Sequence, residues 1–162
     1  MICYAVIDTN VLVSALLSKN ESAATVQVMV QLFSGRITPV YSNEIISEYR
    51  EVLSRKKFKF PSEQINYLLS AIEKFGILVD PTPTDIILPD MKDLPFYEVV
   101  MEKRADDAYL VTGNQKHFPQ EPFIITAREM IDILNQTPVT DRLTGVLNRN
   151  YDDKQNHEDS SN

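Results

Sequence analysis

The sequence lacks the residues on which several kinds of protein depend. Its 162 residues include a single cysteine, Cys3, which excludes a disulfide framework and a cysteine-rich zinc site. Two histidines, His117 and His157, argue against a zinc or haem centre ligated by histidine. No apolar run approaches the ~18 residues that a membrane-spanning helix requires, so we expect no membrane segment.

An excess of basic charge is also missing. The chain carries 23 acidic and 16 basic residues, a net charge of −7, which is not the balance of a general polyanion binder. A function on nucleic acid would therefore depend on a local basic cluster, or on metal ions that reverse the sign of an acidic site.

The N-terminus lacks the basic segment of a secretory signal. It begins MICYAVID and enters a predicted strand at once, so we expect a cytoplasmic protein. The length fits one domain, which we place at residues 1–136. A polar extension follows at 137–162, and its last part, 150–162, has the composition of a flexible tail.

Strand-like and helix-like segments alternate along the chain. We predict strands at 2–8, 37–41, 77–79, 108–112 and 123–126, and helices at 11–17, 21–34, 43–55, 62–75, 96–104 and 127–135, with a helical turn at 115–118. Ser42 and Ser62 are the expected N-caps of the third and fourth helices, and Thr126 with Glu129 has capping-box spacing. This alternation predicts an α/β fold, a three-layer α/β/α sandwich with a parallel central sheet.

Two polar residues follow predicted strands of this sheet. Asp8 stands at the carboxyl end of the first strand, directly after its apolar residues, and Asn114 closes the fourth in the turn Thr112-Gly113-Asn114. Ligands of open α/β sheets bind beyond the carboxyl ends of the strands, which makes both residues candidates for a site. Asp8 could instead cap the next helix, and Gly-Asn is also ordinary turn chemistry.

Glu48 can be placed on its predicted helix by angular position. At 100° per residue it lies about 100° from the centre of the apolar stripe, closer than Glu44 or Glu51. We therefore expect Glu48 at the edge of the buried face, where it could lean over the end of the sheet, and Glu51 in solvent. A surface charge without function remains the alternative for Glu48.

Asp90 and Asp93 precede the helix at 96–104. Because Pro95 follows closely, Asp93 could be an N-cap, or it could join Asp8, Glu48 and Asn114 near one edge of the sheet. Negative charges this close together repel one another unless a cation neutralises them. Oxygen ligands without cysteine or histidine suit Mg²⁺ or Mn²⁺. Such an ion can activate water and stabilise charge on a phosphoryl oxygen. A separate pair of acids, Asp106 and Asp107, precedes the fourth strand at its opposite end and is left out of the site.

Four segments of the chain, taken in their order, carry a family resemblance: VIDTNVLVSALL, SNEIISEYREVLSRKKF, PDMKDLPFYEV and LVTGNQKHF. Together they resemble the PIN domain family over about residues 2–135, specifically the branch of toxins from toxin–antitoxin systems. The resemblance implies a three-layer α/β sandwich and an Mg²⁺- or Mn²⁺-dependent endoribonuclease that hydrolyses RNA phosphodiester bonds. It further implies RNA and an antitoxin protein as partners, and it allows a homo-oligomer.

The resemblance also assigns residues to the site. The family's first acid falls on Asp8, its second on Glu48 and its third on Asp93; the fourth position, often Asp in the family, is Asn114 here. Asp90 is a further candidate ligand because it is close to Asp93 in sequence.

A basic cluster follows the Glu48 helix. Phe58 and Phe60 alternate there with the basic residues Arg55, Lys56, Lys57 and Lys59. Cations at a helix C-terminus account for one or two of these, but the interleaved aromatics suit a phosphate backbone and stacked bases. His117, in contrast, is expected to be a surface or structural residue.

Two other functions are compatible with the sequence. One is a PIN fold that binds RNA or protein with little or no catalysis, which the amide at Asn114 favours. The other is a phosphatase of the haloacid dehalogenase type, which also begins with a strand-end Asp. That family has a second Asp two residues later, where this chain has Asn10, and the difference argues against it.

Overall fold

The central sheet is parallel throughout, as predicted. The structure, a computed structural model, describes residues 2–136. Its strands are β1 (Cys3–Ile7), β2 (Ile37–Tyr41), β3 (Ile77–Leu78), β4 (Tyr109–Val111) and β5 (Ile124–Ile125), in the order β3-β2-β1-β4-β5. The extension 137–162, and with it the expected flexible tail at 150–162, lies outside the described residues.

Within residues 2–136, six α-helices flank the sheet and complete the predicted α/β/α sandwich. They are α1 (Thr9–Leu17), α2 (Ala24–Phe33), α3 (Asn43–Leu53), α4 (Ser62–Phe75), α5 (Leu94–Glu102) and α6 (Ala127–Gln136). Packed between α1 and α6, α2 also contacts β2, whereas α5 lies against β1, β2 and β4 beside α3. No helix among the described residues is long and apolar enough to cross a membrane.

The core explains the continuous apolar run of the first strand. β1 lies between β2 and β4, and Ala5, Val6 and Ile7 are all buried. A parallel strand covered on both faces has no solvent side, so it needs no polar residue at alternate positions. The apolar run therefore ends only where β1 leaves the sheet, at Asp8.

The helix starts confirm some sequence predictions and correct others. Ser42 caps α3 by accepting a hydrogen bond from the Ile45 amide at 3.3 Å, and the Glu129 amide donates to Thr126 Oγ1 at 3.2 Å. The prediction for Ser62 was wrong, because Ser62 is the first helical residue and Pro61 holds the cap position in an extended conformation. Proline fixes φ near −65°, which leads the chain into the helix without a side-chain cap.

Several helix boundaries differ from the predicted ones, and two of the shifted starts have local reasons. The second helix begins three residues later than predicted, at Ala24, and Asn20 Oδ1 accepts a hydrogen bond from the Ser22 amide, which favours a turn there. The fifth begins two residues earlier, at Leu94, since Pro95 is tolerated in the first helical turn. Both shifts leave the layer order unchanged.

Candidate functional site

The candidate site lies where β1 and β4 end side by side. Ile7 pairs with Val111, and the Asp8 amide donates to the Val111 carbonyl at 2.9 Å, so the residues that follow the two strands are neighbours. Thr112 Oγ1 donates to Asp8 Oδ2 at 2.7 Å, and both residues are buried. The sheet therefore holds a carboxylate at its carboxyl edge.

Asp8 occupies the N-cap position of α1 without capping it by its side chain. The helix receives no side-chain capping bond from Asp8, whose Oδ2 accepts from Thr112 and, at 3.2 Å, from Asn10 Nδ2. Asn10 Oδ1 in turn accepts from the Gly113 amide at 3.1 Å. Asn10 thus ties the first turn of α1 to the turn after β4, and the capping explanation for Asp8 does not hold.

Glu48 reaches the same edge from α3. It is half-buried, as its angular position predicted, and its Oε2 accepts a short hydrogen bond from Thr9 Oγ1. The next residue, Tyr49, is buried and donates its hydroxyl to the Ile7 carbonyl at 2.5 Å. These two contacts, one to the last residue of β1 and one to the first residue of α1, fix α3 over the sheet edge.

Asp93 comes to the site from the start of α5. It holds the cap position there but makes no capping bond with its side chain, so that explanation fails as well. Its Oδ2 lies 3.0 Å from His117 Nδ1, and the exposed fractions of the two side chains are 15% and 42%. His117 is therefore partly exposed, as expected of a surface residue, but it also holds a carboxylate of the site.

The electrostatics show that the three carboxylates act on one another. The pKa of Asp8 is raised from 3.8 to about 6, mainly by burial; the charges of Asp93 and Glu48 also raise it, and the Thr112 hydrogen bond lowers it. The pKa values of Glu48 and Asp93 are also raised, mainly by burial. Burial, with the charges of Asp8 and Glu48, raises the pKa of Tyr49 well above its usual range, so its hydroxyl remains a donor.

The donor set suits a hard cation, although it is not gathered as a finished ligand group. In residues 2–136 no three acidic, histidine or cysteine side chains are close enough together to hold an ion as they stand. Asp8 and Glu48 form no ion pair within that part of the chain, and Asp93 pairs only with His117. Three carboxylates with raised pKa values and so little compensating charge fit Mg²⁺ or Mn²⁺ by chemistry.

Two other candidates lie less centrally than expected. Asn114 is exposed, and its amide N–H donates to Thr112 Oγ1 at 3.0 Å; the side-chain amide that contacts a carboxylate is that of Asn10. Asp90 is exposed and caps a short turn through the Lys92 amide at 3.0 Å, while its charge raises the pKa of Asp93.

The acids excluded from the site lie where predicted. Asp106 and Asp107 precede β4, away from its carboxyl end, and Asp106 pairs with Lys103 at 2.6 Å.

The basic cluster forms the loop between α3 and α4. Arg55 pairs with Glu51 at 3.2 Å, one helical turn earlier, so part of its charge is compensated. Lys56, Lys57 and Lys59 are exposed, and none forms an ion pair with another described residue. The loop therefore presents three uncompensated cations.

Several side chains that hold the carboxylates were not predicted from the sequence. They are Thr9, Asn10, Thr112 and His117. A signal existed for Asn10, two residues after Asp8 in the same helical turn, and for Thr112, next to the predicted turn. No local signal joins His117 to Asp93, because 24 residues separate them.

Comparison with known proteins identifies the family. No curated protein and no solved structure shows significant similarity to this chain. The PIN domain family model matches residues 4–116, a range that contains β1 except its first residue, β2 to β4, all three carboxylates and the basic loop. The chain belongs to the PIN domain family.

Proposed function

We propose that this protein is a metal-dependent endoribonuclease that hydrolyses phosphodiester bonds in RNA. PIN domains are generally nucleases, which supports hydrolysis of nucleic acid as the class of reaction. The observation that carries the proposal is the convergence of Asp8, Glu48 and Asp93, from three separate elements, at the carboxyl edge of the sheet. A membership in the haloacid dehalogenase family is not proposed, because the family match is to PIN.

In this proposal the three carboxylates bind the metal ion. Asp8, Glu48 and Asp93 would hold Mg²⁺ or Mn²⁺, with Asn114 and Asp90 as further candidates beside them. When bound, the ion supplies a Lewis acid that activates water and stabilises negative charge on a phosphoryl oxygen.

The neighbouring side chains orient the three carboxylates. The hydroxyls of Thr112 and Thr9 hold Asp8 and Glu48, and the His117 ring holds Asp93. The second oxygens of Glu48 and Asp93 accept no hydrogen bond from any described residue, so they are available for a ligand.

The RNA would approach from the basic loop. Lys56, Lys57 and Lys59 are its uncompensated cations, and Arg55 adds a partly compensated charge. Because the whole chain is acidic, local cations of this kind are needed to bind a polyanion.

Asp8→Asn tests the proposal. It should reduce Mn²⁺-dependent RNA cleavage by about 100-fold, because it removes one of the three negative charges proposed to hold the ion. It should leave the chain folded, since Asn keeps the size of Asp. Cleavage by purified protein and melting with and without Mn²⁺ are the measurements. Asp132→Asn, on the exposed side of α6, is the matched control; undiminished cleavage by a folded Asp8→Asn protein would contradict the proposal.

A second candidate is a PIN fold that binds RNA or protein with little or no catalysis. The specific observation in its favour is that no three ligands are grouped closely enough within residues 2–136. Titration calorimetry with Mn²⁺ separates the two, because only the nuclease requires an ion whose binding is lost in Asp8→Asn.

We further propose that the nuclease is the toxin of a toxin–antitoxin pair, acting in the cytoplasm. This proposal is supported by the resemblance of four sequence segments, in their order, to the toxin branch of the PIN domain family. Induced expression should arrest growth with the unaltered chain and not with Asp8→Asn. An antitoxin protein and a second copy of the chain are the partners to seek in such cells.

A further inference from the structure

A shallow groove leads away from the carboxylates along α1. It encloses about 640 Å³ and is lined by Thr9, Asn10, Val13, Leu17, Val52 and Phe58. One end belongs to the site already described, because Thr9 binds Glu48 and Asn10 binds Asp8. The other end is Phe58, in the basic loop.

The far end of the groove combines an aromatic face with a cation. The Phe58 ring stacks on Phe60, with centroids 5.4 Å apart and an angle of 10° between the planes. Phe60 in turn packs against the hydrophobic core, which anchors the pair. Lys57 Nζ lies 5.0 Å from the Phe58 centroid, and as a flexible side chain it can exchange that position for another partner.

The lining between the two ends is mostly apolar, with Ser14 and Ser18 as its polar members. Val13 and Val52 are partly buried, and Leu17 is 52% exposed. Such walls disfavour a phosphate and favour a flat group with apolar faces. The cations of the basic loop would then bind the phosphates on either side of this flat group.

We propose that this groove is a subsite for one unpaired base of the RNA, with Phe58 as its stacking partner. The inference rests on the proposed function only in taking RNA as the ligand. Two observations support it. The groove is continuous with the carboxylate site, and its cations and aromatic rings suit the phosphate backbone and the base of RNA, respectively. RNA held in this way would enter along α1 and place a neighbouring phosphate at the carboxylates.

The test is RNA binding without metal, so that cleavage plays no part. Fluorescence anisotropy with a labelled single-stranded RNA oligonucleotide in chelator should give a Kd about 5-fold to 150-fold higher for Phe58→Ala, the range for loss of one stacked base. The dependence of Kd on salt should not change, because no cation has been removed. Phe58→Leu, which keeps apolar bulk in case Phe58→Ala fails to fold, should weaken binding in the same direction.

Phe75→Ala is the matched control. Lys74 lies over Phe75 at 5.5 Å, the same kind of pair, but at the opposite end of α4, about 20 Å away by helix rise. Its Kd should equal that of the unaltered chain.

An abasic scan locates the base. For the unaltered chain, removal of the base at one position of the oligonucleotide should raise the Kd. For Phe58→Ala, removal of that same base should leave the Kd unchanged, because its stacking partner is already absent. If Phe58→Ala and Phe58→Leu bind RNA as tightly as the unaltered chain, or if the scan affects all proteins equally, the subsite is refuted while RNA binding stands. If the unaltered chain binds no RNA in chelator, the subsite is refuted, and the proposed function falls with it only if Mn²⁺-dependent cleavage is absent as well.

Discussion

Asp8 shows most clearly how a residue of this site differs from an ordinary surface acid. It is 5% exposed, and no cation within residues 2–136 pairs with it. Hydrogen bonds from the Thr112 side chain and the Thr9 backbone lower its pKa but only partly offset the burial. A buried charge of this kind destabilises the fold unless an ion compensates it.

The raised pKa of Asp8 predicts a pH-dependent stability. Because the folded value, about 6, exceeds the ordinary value of 3.8, Asp8 contributes stability fully below about pH 3.8 and loses it as the pH rises through 6. At pH 7.5 in chelator, Asp8→Asn should therefore be more stable than the unaltered chain by about 1–3 kcal/mol. The advantage should fade towards pH 4.

Thermal melting from pH 4 to pH 8 measures this difference. A gain in stability that does not vary with pH would show that the carboxylate of Asp8 is not the titrating group. Asp132→Asn, in which the removed charge is exposed, should show little change at any pH in this range.

His117 predicts a different effect, on metal affinity. Its ring holds Asp93 Oδ2 at 3.0 Å, and residues that orient a ligand are typically worth about 10-fold to 100-fold in affinity. His117→Ala should weaken Mn²⁺ binding by that factor, whereas His117→Asn, which can place a donor near the position of Nδ1, should recover part of it. Titration calorimetry gives both constants, and equal affinities for His117→Ala and the unaltered chain would contradict the role.

At the scale of elements, the site depends on how α1, α3 and α5 begin and end. Ser42 starts α3 so that Glu48 falls at the edge of its buried face, and Tyr49 fastens the helix to the end of β1. Where α3 ends, at Leu53, the chain enters the basic loop, which is bounded on the other side by the first residue of α4. One element thus connects a carboxylate with the cations proposed to bind RNA.

Reversal of Lys56 and Lys57 to Glu should weaken RNA binding and flatten its salt dependence. Each lost phosphate contact on a single strand reduces the slope of log K against log salt by about 0.7. Anisotropy titrations at several salt concentrations measure it. Reversal of Lys74 and Arg128, on α4 and α6, changes the net charge equally and should leave the slope unchanged; equal slopes for both double variants would place the basic loop outside the RNA path.

At the scale of the whole molecule, the strand order explains the position of the site. The chain proceeds from β1 outwards through β2 and β3, then returns to the other side of β1 with β4 and β5. Ligands of open α/β sheets bind where the order reverses, here between β1 and β4. Asp8 and Thr112 follow those two strands, so the topology itself brings them together.

Removal of residues 150–162 should leave the melting temperature nearly unchanged. This segment, YDDKQNHEDSSN with the preceding Asn150, has few apolar side chains to bury. Differential scanning calorimetry of the shortened and the full chain measures the effect, at matched concentration to exclude association. A fall of many degrees would indicate that the segment packs on the body of the protein or on a second copy.

The local parts of this protein could be predicted from the sequence. Apolar periodicity indicated the alternating strands and helices, the α/β sandwich, the place of Asp8 after a strand and the position of Glu48 at a helix edge. These features depend on neighbours within a few residues, which is the range over which periodicity and capping act.

Only the tertiary structure decided which side chains hold the carboxylates. The bond between Thr9 and Glu48 joins residues 39 apart, and that between Thr112 and Asp8 joins residues 104 apart. Such pairs depend on strand register and helix packing, where a shift of one residue would turn a side chain to another face. For the same reason the sequence favoured Asn114 as the amide of the site, while the fold brings Asn10 to Asp8 and leaves the Asn114 side chain exposed.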